Sequence, residues 1–117
     1  MAMAMKVDIG ATCKNAGTER PIDLVHLSSL TMGDSALESE VLGMFAAQLP
    51  TYIAALVKAN SPEAVFHAAH TLKGAAKSMG AFRLSEIAAD LEATRVVDQA
   101  QISTEADRVI AYINELR

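Results

Sequence analysis

Tryptophan is missing from this chain, and only two tyrosines and three phenylalanines stand among its 117 residues. Six glycines and three prolines set against abundant Ala, Leu, Met and Glu extend that pattern. Such a shortage argues against a β-sandwich or barrel, which draws on aromatic residues and frequent turns, and points to an all-α fold. One cysteine, Cys13, leaves no internal disulfide to form and suits a reducing compartment; it reads as an incidental exposed thiol. Basic excess is lacking as well: the formal charge is −4 and the pI near 5.2, which argues against a nucleic-acid binder, usually marked by a basic stripe against phosphates, while leaving room for local basic spots. No stretch approaches the roughly 20 apolar residues of a membrane span, and the N-terminus lacks the apolar core of a secretory signal. The expectation is a cytoplasmic protein without nucleic-acid or membrane partners.

What is present, 51% apolar residues, is ample for one core. Residues 1–20, MAMAMKVDIGATCKNAGTER, carry no helical period and read as a flexible arm or a remnant of expression, leaving 21–117 as one domain. Asp23 is placed to cap LVHLSSL, with Leu24, Leu27 and Leu30 on one face. Ser35 and Glu38 have the spacing of a capping box at the start of a long helix, whose stripe is read as Leu37, Val41, Met44 and Phe45. Pro50 interrupts that helix with a kink, since Ile53, Leu56 and Val57 continue the stripe. Ser61, Pro62 and Glu63 start a third helix that Gly80 ends; AFRLSEIAADLEATRVV forms a fourth, with Leu84, Ile87, Ala88 and Leu91 on one side. Ser103 or Thr104 caps the last, which carries Val109, Ile110, Ile113 and Leu116. Short connections favour an antiparallel up-down-up-down four-helix bundle with the short N-terminal helix across one end.

The third helix separates into two faces. At about 100° per residue, Val65, Ala69, Leu72, Ala76 and Met79 gather on one side, while Glu63, His67, His70, Lys73, Gly74 and Lys77 gather on the other, with Phe66 at the edge. A solvated face with incidental histidines is the plain account. Gly74 tells against it, because glycine inside a helix costs on the order of 1 kcal/mol relative to Ala. Close packing of a neighbouring helix or a partner approaching His70 would each need the missing side chain, and the shared stripe favours the partner. A metal site built from Glu63, His67 and His70 is disfavoured by Lys73 and Lys77, which would place two positive charges beside the cation. The same lysines suit an anion, and a neutral imidazole is a nucleophile for phosphoryl transfer.

Residues 69–92, AHTLKGAAKSMGAFRLSEIAADLE, resemble the motif of histidine-containing phosphotransfer (HPt) domains: a histidine, Lys at +3, Gly at +4, Gly at +10 and a Leu-Glu pair on the next helix. PIDLVHLSSLTMGDSALESEVLGMFAAQLP resembles the family's opening helices, so the likeness covers about residues 21–95. The resemblance implies a phosphocarrier, without ATP site or kinase activity, that holds a phosphoryl group on His70 between receiver aspartates. It implies response-regulator receiver domains and a hybrid sensor histidine kinase as partners of a monomeric chain, with Mg²⁺ on the receiver and no cofactor here. By motif position Lys73 and Lys77 support the phosphoryl group, Gly74 gives the receiver room, and Glu92 hydrogen-bonds the histidine and fixes its tautomer. His67 flanks the site. Phe66 reads first as an aromatic tilted inward and second as a docking residue; His26 reads as a packing or surface residue. A bundle that only docks a partner is the rival reading. With little outside the bundle, the chain is expected to be free-standing.

Overall fold

The structure is a computed structural model that describes residues 20–117. The arm expected over residues 1–20, Cys13 included, lies outside the described residues except for Arg20. The described residues form five helices and no strand: α1 Leu24–Thr31, α2 Ser35–Lys58, α3 Pro62–Met79, α4 Phe82–Thr94 and α5 Gln99–Leu116. Helix α2 packs on α3 and α5, and α4 also packs on α3 and α5, so each long helix has two neighbours around a shared core. That core is mainly aliphatic: Leu27, Leu42, Leu49, Leu56, Leu72, Leu84, Ile102, Val109 and Ile113 lie within it together with Phe45.

Several local expectations shift. Asp34, not Ser35, caps α2 by accepting from the Leu37 amide, and Glu38 accepts from the Thr31 hydroxyl instead of closing a capping box. An aspartate one residue earlier offers the amides a charged acceptor, so the start moves back. The buried stripe of α2 is accordingly Leu42, Phe45, Leu49 and Leu56, while Leu37 and Met44 are exposed. Leu30 of α1 is exposed too, and Thr31 is buried instead, its hydroxyl bonded to the Leu27 carbonyl. Helix α4 stops at Thr94, where Arg95 turns left-handed at φ 61°. Asp98 caps α5 through the Gln101 amide, so the helix starts earlier than a Ser103 or Thr104 cap would allow and brings Ile102 into the core. Pro50 lies inside α2, which continues to Lys58.

One exclusion is also revised. Helix α2 is long and apolar enough, by length and composition, to cross a membrane. A core helix of a bundle meets the same measure, and Leu42, Phe45, Leu49 and Leu56 of α2 are buried against its neighbours.

Helix α1 is tied to the junction of α3 and α4. Asp23 caps it, and the Asp23 amide donates to the Gly80 carbonyl at 2.9 Å. His26 Nε2 lies 3.2 Å from the Ser78 carbonyl, and its ring meets Phe82 edge-on at 5.2 Å. Gly80 is required there for two reasons: its φ of 83° is left-handed, and a Cβ would stand 2.9 Å from the Asp23 carbonyl oxygen.

Candidate functional site

Helix α3 begins with Ser61 accepting from the Ala64 amide, followed by Pro62 at the first helical position and Glu63 in the first turn. Val65, Ala69, Leu72 and Ala76 are buried, which turns His67, His70, Gly74 and Lys77 outward. Helix α4 lies alongside, held at this level by the Ser85 hydroxyl donating to the Lys73 carbonyl at 3.2 Å. Burial of Leu84, Ile87, Ala88 and Leu91 fixes the rotation of α4 and presents Glu92 to α3.

Glu92 joins two α3 side chains. Its Oε2 stands 2.6 Å from His70 Nδ1, and its Oε1 accepts from Lys73 Nζ at 2.5 Å. The His70 side chain keeps 61% of its surface exposed, whereas Glu92 keeps 14%, so the carboxylate sits beneath an accessible imidazole. Hydrogen bonds from Lys73 and then His70 hold the Glu92 carboxyl below the usual carboxylate range. Ionised, it is an acceptor only, and it draws the imidazole proton to Nδ1. The lone pair then resides on Nε2.

The remaining sequence candidates fall around this triad. Lys73 is half-buried, with its ammonium directed to Glu92. Lys77 is exposed and makes no ion pair or side-chain hydrogen bond among the described residues. A Cβ built on Gly74 meets nothing within 4 Å, so neighbouring helices do not require that glycine. Phe66 is half-buried; its ring is nearly parallel to His70, at 13° and 5.9 Å between centroids, and meets the exposed His67 edge-on at 5.5 Å. Among the described residues no group of three or more His, Cys, Asp and Glu side chains is arranged to hold a metal ion, Glu63, His67 and His70 included.

Two features were missed from the sequence. The guanidinium carbon of Arg95 lies 4.9 Å from the Phe66 ring centroid, and Ser85 anchors the α3 backbone. Arg95 lies three residues beyond Glu92, which is a usable signal, but its place depends on α4 ending at Thr94, a boundary that the sequence pattern does not mark.

The family model described as Hpt domain matches residues 40–117, most of the chain. It begins within α2 and takes in α5, where the likeness read from the motif began earlier and ended near residue 95. Comparison with curated proteins and with solved structures gave no match.

Proposed function

The chain belongs to the Hpt domain family, and from that membership we propose that it carries a phosphoryl group on His70 between aspartates of response-regulator receiver domains. The observation that carries this reading is the pairing of Nδ1 with Glu92 on a histidine whose side chain is largely exposed.

The chemistry follows from the tautomer. With the Nδ1 proton donated to Glu92, the Nε2 lone pair attacks the phosphorus of a receiver's aspartyl phosphate. The phosphorus–oxygen bond to the aspartyl carboxyl breaks, and the carboxylate leaves with that electron pair. The ring becomes a phosphoimidazolium, and the Glu92 carboxylate beneath Nδ1 stabilises its positive charge. Release reverses each change: an aspartate oxygen of a second receiver attacks, Nε2 departs with its pair, and the neutral imidazole returns. No net proton transfer is needed. Mg²⁺ belongs to the receiver in this scheme.

Lys73 orients Glu92, Lys77 faces the incoming phosphoryl group, and His67 flanks the approach. Gly74 leaves the receiver room, which accounts for a helical glycine with empty space at its Cβ position. The partners in this reading are receiver domains and a hybrid sensor histidine kinase. The carrier is a cytoplasmic monomer, a phosphocarrier without kinase activity, and α2 to α5 run up-down-up-down with α1 across one end.

Incubation with a phosphorylated receiver is expected to leave an acid-labile, base-stable label on the chain, and His70→Gln to abolish it. Unchanged labelling of that variant would overturn the assignment, and no label on the natural chain would favour a bundle that only docks its partner.

A further inference from the structure

Among the described residues, one side-chain hydrogen bond holds His70. An imidazole with most of its surface in solvent and a single bond at Nδ1 can still pivot about that bond, swinging Nε2 away from the line of attack. The second constraint on the ring is Phe66, one turn earlier on α3, whose ring lies nearly parallel to it, at 13° and 5.9 Å between centroids. Phe66 is itself only half-buried, and the cation resting on it is Arg95, from the end of α4.

We propose that Arg95 is a positioning residue of this site: its guanidinium, laid on Phe66, holds the ring that sets the plane of His70. The proposal rests on the reading of His70 as phosphoryl acceptor. Arg95 thereby links α4 to the imidazole a second time, independently of Glu92. The contact forms because α4 ends at Thr94 and Arg95 takes the left-handed conformation, which turns its side chain back toward α3. Glycine is the residue that favours such a position. Left-handed backbone alone carries no role, since Met32 shares it at φ 54° with its side chain in solvent. The guanidinium–ring contact carries the argument. A guanidinium over an aromatic face is held there by cation–π attraction, which restrains the ring beneath it.

The test uses Arg95→Gly, because glycine relieves the backbone while removing the guanidinium. Thermal unfolding of Arg95→Gly should match or exceed the natural chain, excluding a structural defect. In NMR spectra of the unphosphorylated protein, the His70 ring protons should move in the same direction in Arg95→Gly as in Phe66→Leu, because both disturb the ring current that Phe66 casts on them. Transfer from a phosphorylated receiver should lose about two- to fivefold in kcat, the size of an exposed cation–π contact, with KM for the receiver unchanged. Arg95→Lys should be intermediate, since it keeps the charge and loses the planar guanidinium. Unaltered His70 signals in Arg95→Gly would overturn the proposal, as would a raised KM at constant kcat, which would mark Arg95 as a docking contact. If the natural chain takes no label on His70, the carrier reading fails, while the NMR comparison still decides whether Arg95 orients the ring.

Discussion

Glu92 is the residue on which the site turns, because it sets the imidazole tautomer and neutralises the ammonium of Lys73. Its carboxyl is held below the ordinary carboxylate range in the folded chain, first by Lys73 and then by His70. A depressed folded value means that the stabilisation is present above the unfolded carboxylate value and is lost as pH falls through the folded one. Urea unfolding should therefore show Glu92→Gln less stable than the natural chain near neutral pH, with the difference closing in acid. Glutamine retains an acceptor for Nδ1 but loses the charge that steadies the phosphoimidazolium, so transfer in Glu92→Gln should persist at a reduced rate, whereas Glu92→Leu should lose it on the order of tenfold. Gly74 separates stability from function. With nothing near its Cβ position, Gly74→Ala should stabilise the protein by about 1 kcal/mol in urea titration. Gly74→Leu should also fold, yet slow transfer by blocking the receiver. Loss of fold in either variant would assign the glycine to packing. His70, Lys73, Gly74 and Lys77 are legible as a group because one helix carries them at fixed angular steps. Arg95 is not, since its place depends on where a different helix ends.

Helix ends were the least legible part of the sequence, and the reason is visible in α2 and α5. Each start offers several capping residues within a few positions, and local preference does not choose between them. Burial does: beginning α5 at Ser103 would leave Ile102 outside the helix, whereas the Asp98 cap places its side chain in the core. Asp98→Ala should accordingly cost about 1 kcal/mol in chemical unfolding, and Ser103→Ala far less. The α3–α4 junction is more constrained. Gly80→Ala meets both a left-handed backbone and the Asp23 carbonyl, so a loss of about 1–3 kcal/mol is expected, with α1 loosened first. Hydrogen exchange at the Asp23 amide, bonded to the Gly80 carbonyl, would report that loosening. Helix stripes were legible where burial follows one clear period, as in Leu84, Ile87, Ala88 and Leu91 of α4. They were misjudged in α2, where apolar residues occur on several sides and only packing separates buried Leu42 from exposed Met44.

For the whole molecule, the bundle serves to hold two adjacent helices in register. Helix α3 carries His70 and α4 the Glu92 carboxylate bonded to it, while α2 and α5 enclose the core on which that register depends. The all-helical class was legible from composition because the chain is poor in the aromatic and turn residues on which sheets draw. Family membership rests on a match that spans α3, α4 and α5 and much of α2. The central claim is narrower than membership: one nitrogen of one histidine carries the phosphoryl group because Glu92 occupies the other. The most direct measurement is NMR of the phosphorylated, ¹⁵N-histidine-labelled chain, which identifies both the residue and the ring nitrogen bonded to phosphorus. Phosphorus on Nε2 of His70, with the Nδ1 proton retained toward Glu92, is the predicted result; phosphorus on Nδ1 of His70, or on His67, would contradict it.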